Sequence, residues 1–203
     1  MTTTAYGFET LHVDPDSLEA TFTARNGTVI HCRLIQPDDT PLLIDLFSHL
    51  SPESRRRFNL PLEHLDQSRI VQEARLLADV DNRTVGGAVL ALSGAVESAQ
   101  LIGVARIGRY AAAPASPEAE AALLVRDDFQ GQGVGTALMA ILALLARRMN
   151  VETITASVQA DNEALFALLR SLHLPQQRHT THGETTISLS VNDLPAPKRA
   201  MRY

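Results

Sequence analysis

Cysteine occurs once in the 203 residues, tryptophan not at all, and lysine once, as Lys198. A single cysteine, Cys32, excludes an intramolecular disulfide and any Cys-rich zinc site. It lies in an apolar stretch and reads as a small core residue. Seventeen of the eighteen basic residues are arginine. No lysine follows a glycine, which removes the Walker-type phosphate loop and the ATP and GTP enzymes built on it. Long apolar runs are also missing: the longest, Ala137 to Ala146, stops at Arg147 and Arg148 and is too short to span a bilayer. No basic residue and no apolar run precedes Arg25, so no secretory signal is expected and a cytoplasmic location is. The formal charge of −5 argues against a nucleic-acid binder, and no membrane partner is expected. What is present is a hydrophobic fraction of 45% in 22.1 kDa, which suits one domain with a sizeable core.

The order of elements is mixed. Residues 1–19 read as an N-terminal arm, with Asp14-Pro15-Asp16 marking a turn. Asn26-Gly27 stands between two strand-like runs, Ala20 to Arg25 and Thr28 to Ile35, and predicts a hairpin with a type I′ turn. Pro37 to Pro41 opens a helix carrying Leu42, Leu43, Leu46 and Leu50 on one face. Ser51-Pro52 starts a second helix, with Ser51 as its cap. A third is expected around Ser68 to Leu77. Strands follow over Thr84 to Leu92, Leu101 to Ala111 and Glu118 to Val125. An apolar helix runs from about Val134 to Met149. A strand over Thr153 to Val158, a helix over Asp161 to Leu172 and a strand over Thr185 to Val191 close the domain, 20–192. Residues 193–203 read as a flexible tail. The class is α/β.

The loop between Val125 and the long helix concentrates the chemistry. Gly131, Gly133 and Gly135 fall at alternate positions between a strand and a helix. Glycines there let amides approach a ligand with no Cβ in the way, and the helix start adds orphan donors and a positive dipole end. Together they suit a phosphate or pyrophosphate. A dinucleotide fingerprint needs its third glycine at position 136, where Thr136 stands. The acid about twenty residues on, Glu152, precedes its strand instead of ending it. A turn serving only tight packing is the remaining alternative.

Gln130-Gly-Gln-Gly-Val-Gly135 resembles the Gln/Arg-x-x-Gly-x-Gly/Ala signature of the GNAT acetyltransferase superfamily. The element order agrees with that fold from about Thr28 to Val191. Arg33 to Asp39, Leu50 to Arg55, Arg57-Phe58, Val104 to Tyr110 and Val125 to Gln130 are further similar to bacterial Pat-type protein lysine acetyltransferases. The resemblance implies a GNAT fold: a mixed, twisted central sheet flanked by helices, with a V-shaped splay between the strands near 118–125 and 153–158. It implies an acetyl-CoA co-substrate and no metal. Main-chain groups of Leu123, Leu124 and Val125 would pair with the pantetheine arm, and the amides of Gly131, Gln132, Gly133, Val134, Gly135 and Thr136 would meet the pyrophosphate. Asn162 would face the pantetheine or acetyl end, cap its helix, or do both.

Glu118 and Glu120 share one face of a strand otherwise made of Ala, Leu and Val. By the resemblance Glu120 holds the catalytic position, taking the proton that a lysine acceptor must lose; a solvated strand end is the plain alternative. Two departures stand out. Leu169 occupies the place of a tyrosine general acid, and Leu172-His173-Leu174 replaces Leu-Gly-Phe. The implied activity is acetyl transfer to a primary amine, with protein lysine the leading acceptor. A small-molecule amine acceptor or a non-catalytic CoA-binding regulatory module are the alternatives. A homodimer is conceivable because the N-terminal hairpin would offer a pairing edge. His179-Thr-Thr-His182 reads as a polar turn, and Arg55-Arg56-Arg57 as a basic cluster on a solvated helix face.

Overall fold

A computed structural model describes residues 11–58, 67–95, 98–173, 175–194 and 198–199. Among them, ten strands form one sheet in the order β10-β1-β2-β3-β4-β5-β6-β7-β9-β8. In chain order these are β1 (His12–Val13), β2 (Ala20–Thr23), β3 (Val29–Leu34), β4 (Gly86–Ser93), β5 (Gln100–Gly108), β6 (Glu118–Val125), β7 (Thr153–Gln159), β8 (Gln177–Thr181), β9 (Glu184–Ser190) and β10 (Lys198–Arg199). Pairing is antiparallel except between β1 and β10 and between β6 and β7. The helices are α1 (Thr40–Ser48), α2 (Pro52–Arg57), α3 (Gln67–Ala78), α4 (Val134–Arg148) and α5 (Glu163–Ser171).

The sheet is apolar on both faces because it is covered on both. Alternate residues of β4 divide between two clusters: Ala88, Leu90 and Leu92 pack with α1 and α3, whereas Val89 and Ala91 pack with α4. This explains why all eight residues of β4 are buried and why the strand shows no polar alternation. The long helix α4 buries ten of its fifteen residues. It approaches the sheet where glycines make room. A Cβ on Gly87 would stand 2.9 Å from Leu145 Cδ2 and 2.9 Å from Asn82 Oδ1. Asn82 cannot yield easily, since its Oδ1 accepts from Ala88 N–H and its Nδ2 donates to Ile35 O.

Local rules explain most element ends. Ser51 caps α2 by accepting from Ser54 N–H at 3.1 Å, and Asn162 caps α5 by accepting from Leu165 N–H at 3.2 Å. Asp39 holds the entry to α1: it accepts both prongs of Arg33 at 2.6 Å and the N–H of Gln36 at 2.7 Å. Cys32 is buried, and burial pushes its thiol up to about 12, as suits an unreactive core residue. Past α5, His173 takes the left-handed conformation at φ 51, the position where glycine is commonest.

Several expectations need correction. The hairpin at Asn26-Gly27 forms, but Gly27 alone has positive φ, at 87. The turn runs from Ala24 to Thr28, with Gly27 N–H donating to Ala24 O and Ala24 N–H to Thr28 O, so it is wider than the two-residue type. The boundary at residue 20 cuts through the sheet, because Val13 of β1 pairs with Ala20 of β2. Lys198 and Arg199 of the expected tail pair with His12 and Val13. At the hairpin edge expected to be open to a second copy, β1 pairs with β2 through Val13↔Ala20. His179 belongs to a strand, and the turn of the β8–β9 hairpin is His182-Gly183, both with positive φ. The third helix expected around Ser68 to Leu77 forms as α3; residues 59–66 before it lie outside the described residues, as do 1–10 of the arm and 195–197 and 200–203 of the tail.

Gly87→Ala is expected to lower stability by about 1–3 kcal/mol through overpacking, read as a lower urea midpoint at unchanged slope. Gly108→Ala is the control. Its Cβ would meet nothing nearer than 4.0 Å, and a change within about 0.5 kcal/mol is expected.

Candidate active site

The site is built where two parallel strands part. β6 and β7 pair only through Glu118↔Thr153, Ala119↔Ile154 and Glu120↔Thr155. Beyond Glu120 the ladder ends, although β6 continues to Val125 against β5 and β7 continues to Gln159 against β9. This is the expected splay.

The hydrogen-bond phase of β6 decides which of its groups face the gap. Arg126 N–H donates to Ile102 O at 2.8 Å, so by the antiparallel alternation Leu124 turns its N–H and C=O to Val104 of β5. Leu123 and Val125 turn theirs to the splay. Two contacts agree: the carbonyl of Val125 accepts from Gln130 Nε2 at 3.1 Å, and that of Ala119 faces the Thr155 hydroxyl at 3.4 Å. Of the three residues expected to offer main-chain groups to the gap, Leu123 and Val125 do so, whereas Leu124 contributes a buried side chain to the α1–α3 cluster.

The glycine loop closes the wide end of the splay. Gly131 and Gly133 have φ of 71 and 94, and Gly133 caps α4 with no side chain satisfying the helix start. The loop's carbonyls are held from behind by the β2–β3 hairpin: Arg25 Nη1 donates to Gly131 O at 3.0 Å and Arg25 N–H to Gln132 O at 3.2 Å. Among the described residues no acceptor meets the amides from Gly131 to Thr136. Val134 is buried and offers the gap only its amide. At Gly135 a Cβ would meet Leu168, Leu123 and Val125 at 3.4 to 3.9 Å, so this glycine brings α4 close to β6 and α5. An open row of amides at a helix start, beside an extended strand edge, fits a diphosphate joined to an extended amide-bearing arm.

Glu120 ends the paired part of β6, exposed, at the vertex of the splay. Asn162 lies at the start of α5, directly after β7; its Oδ1 is committed to the cap. Glu118, one turn of the pleat earlier, is exposed on the same face. Leu169 points into the core, away from the gap. Among the described residues no three His, Cys, Asp or Glu side chains converge as metal ligands, and no helix is long and apolar enough to cross a membrane.

Two polar ties across the site were not visible in the sequence. Asp127 accepts from Ser51 N–H at 3.0 Å, Ser51 Oγ at 2.9 Å and Ser54 Oγ at 2.7 Å, and Gln130 Nε2 donates to Ser54 Oγ at 3.3 Å. This fastens α2 to the glycine loop. Partial burial raises the Asp127 pKa, but those three donors outweigh it and hold the carboxyl below its usual range. The second tie spans the splay. Arg56 donates to Asp161 at 2.7 Å, to Glu53 at 2.9 Å and to Gln159 Oε1 at 3.4 Å. Arg57 pairs with the same Glu53 and Arg55 donates to Ser48 O at 3.3 Å, while the Nε of each is buried with no partner among the described residues. The signal available in sequence was only that Ser51 caps a helix; its partner Asp127 lies 76 residues away.

Asp127 is depressed in the folded state, so its contribution is present above the ordinary carboxyl range and is lost as pH falls through the lower folded value. Asp127→Asn should cost about 0.5–1.5 kcal/mol at neutral pH, at the low end because the carboxylate is exposed and screened. The deficit relative to wild type should shrink in denaturant melts run near pH ~3.

Comparison with known proteins fits this geometry. Residues 43–173 match the acetyltransferase (GNAT) family. The GNAT domain of S. lividans Pat is similar in structure, with TM-score 0.72 and 24% identity over 85% of this chain and 96% of that one. A cAMP-binding acyltransferase from Mycobacterium smegmatis has TM-score 0.57 and 22% identity, covering 87% of this chain but 49% of its own length. RimL, a ribosomal L7/L12 alpha-N-protein acetyltransferase solved with coenzyme A, has TM-score 0.61 and 16% identity, covering 79% of this chain and 92% of that one. A search of curated protein sequences finds no match. The fold, the splayed strands and the matched family agree: this chain belongs to the acetyltransferase (GNAT) family.

Proposed function

We propose that the protein transfers an acetyl group from acetyl-CoA to a primary amine, with a lysine side chain of a polypeptide as the leading acceptor. The observation that carries this reading is the row of amides from Gly131 to Thr136 that meet no acceptor among the described residues, continuing into the edge of β6 that faces the splay. On this reading those amides hold the pyrophosphate, and the main-chain groups of Leu123 and Val125 hold the pantetheine arm. Val134 contributes its amide, and Gly131, Gly133 and Gly135 the room. Leu124 keeps β6 packed on the opposite side. The Nδ2 of Asn162 is the donor left to face the arm once Oδ1 has capped α5. The likeness to RimL, an alpha-N-protein acetyltransferase, supports a protein amine as acceptor.

Acetyl-CoA supplies an activated acyl carbonyl; the protein must supply a neutral amine beside it. A lysine is charged at pH 7, and freeing it costs about 4.6 kcal/mol, from roughly 3.4 pK units. Glu120 stands where the β6–β7 ladder ends, so its carboxylate accepts that proton directly or through water. No tyrosine takes the usual general-acid place, and the buried Leu169 cannot serve. A thiolate with a free pKa of about 8.5 departs without one.

Calorimetric titration with acetyl-CoA, with NADH as control, tests the loop; micromolar binding of the first and none of the second is expected. Glu120→Gln should lower kcat by about 10²–10⁴-fold while leaving acetyl-CoA affinity intact. An unchanged rate would remove Glu120 from the chemistry, and acetyl-CoA binding with no transfer by the wild type would favour a regulatory CoA-binding module. Gly133→Asp should abolish binding, because its carboxylate would meet the phosphates at the helix start. Retained affinity would show that the glycine loop is only structural. Faster transfer to free amines than to protein lysines would favour the small-amine alternative.

A further inference from the structure

On the α3 side of the sheet, the floor beside Glu120 is nearly free of side chains. Gly86 pairs with Gly108, Ala88 pairs with Arg106, and Gly108 pairs in turn with Glu120. The alternating residues Val89, Ala105 and Ile107 pack on the α4 side, so Arg106 and Glu120 project toward α3. A cavity of about 450 Å³ opens there, its lining including Leu77, Val80, Val85, Arg106 and Arg109.

The charged groups of this cavity differ in how they are used. Arg109 is committed to the carbonyls of Thr84, Ser116 and Met149. Asp81 is committed to the N–H groups of Arg83, Thr84 and Val85 and to the Thr84 hydroxyl. Asp79 is exposed. Arg106 is half-buried and, among the described residues, makes no hydrogen bond or ion pair. Its Nη2 lies 4.0 Å from where a Cβ on Gly108 would stand, so the guanidinium lies over the residue paired with Glu120. Glu120 and Glu73 act on it only through their fields, and burial pushes its pKa down. A guanidinium withdrawn from water with its forked donors unused is a poor resting state unless an anion completes it.

One wall of the cavity is apolar, formed by Leu77, Val80 and Val85. Val85 is one of four large hydrophobic side chains exposed among the described residues. An exposed apolar wall beside the guanidinium extends recognition over a surface that a free amino acid would leave unused.

We propose that this cavity is a specificity pocket for an acidic side chain flanking the acceptor lysine in a polypeptide. Arg106 takes its carboxylate, and Val80 and Val85 pack against the neighbouring residues. The lysine ammonium lies toward Glu120 and Glu73, so the pocket reads an amine and a carboxylate placed close together. This rests on acetyl transfer to lysine as proposed above.

The test uses lysine peptides that carry Glu or Gln at each of the two positions on either side of the lysine. Transfer is followed by release of the CoA thiol. With wild-type protein, at least one Glu→Gln exchange in the peptide should raise KM about tenfold, the scale of one charge-assisted pair, with little change in kcat. In Arg106→Gln the two peptides should become equal, and Arg106→Glu should turn the preference toward an Arg-flanked peptide. Val85→Ser, a surface change, should raise KM for the whole series. Equal KM values in wild type, a preference that survives Arg106→Gln, or transfer to free amino acids but not to peptides overturns the pocket. Calorimetric acetyl-CoA affinity of the same preparations separates the two failures. If wild type does not bind acetyl-CoA, acetyl transfer itself falls; if it binds and shows no charge preference, only the pocket falls. Should Arg106→Gln lose affinity by misfolding, Arg106→Lys and the wild-type series decide.

Discussion

The structure depends on one interrupted ladder. β6 and β7 hold together for three residue pairs and then separate, although each keeps its other neighbour. A strand edge left open inside a sheet is costly unless something pairs with it, because main-chain donors and acceptors out of water need partners. The protein tolerates the gap because β6 remains anchored on β5, and β7 on β9. Glu120 lies at the last paired position, so the parting that opens the gap also sets a carboxylate at its vertex.

The surroundings of the gap are fixed by contacts far apart in sequence. Arg25 pulls the carbonyls of Gly131 and Gln132 toward the β2–β3 hairpin, which leaves the loop's amides turned the other way. Asp127 gathers Ser51 and Ser54, so the first turn of α2 is held against the glycine loop. Arg56 joins α2 to Asp161, next to the cap of α5. The start of α2 is thereby held at the loop before α4, and its last turn at the start of α5. The open amides before α4 make this region receptive to negative charge. On the far side of Glu120 the small residues Gly86, Ala88 and Gly108 leave space beneath α3. The donor side and the acceptor side of the proposed reaction are thus shaped by opposite means, by ties in one case and by missing side chains in the other.

Much of this was legible in the residues. The alternation of glycines before an apolar helix, the caps at Ser51 and Asn162, and the order of strands and helices are local signals, each written in a few consecutive positions. The splay followed from the family resemblance, and the register of β6 and β7 places it beyond Glu120 and Thr155. The type I′ turn failed because the hairpin also serves the glycine loop: Arg25 N–H donates to Gln132 O, a demand that dipeptide preferences do not express. The arm and tail were misread because β1 and β10 are two-residue strands, too short to carry a periodic pattern.

What the sequence determined by itself is therefore the elements other than β1, β8 and β10, the candidate loop and the presence of a carboxylate on an apolar strand. These depend on backbone preferences and on side-chain periodicity, which act over neighbouring residues. Tertiary structure alone decided which peptide groups of β6 remain free, because the phase of the ladder is set by β5: Leu124 is spent there, and Leu123 and Val125 are not. It alone decided that Asp127 reaches Ser51 and that Arg106 lies over Gly108 with no ion-pair partner among the described residues. Hydrogen bonds and fields act across a few ångströms of space, and only the folded chain determines which distant residues share that space.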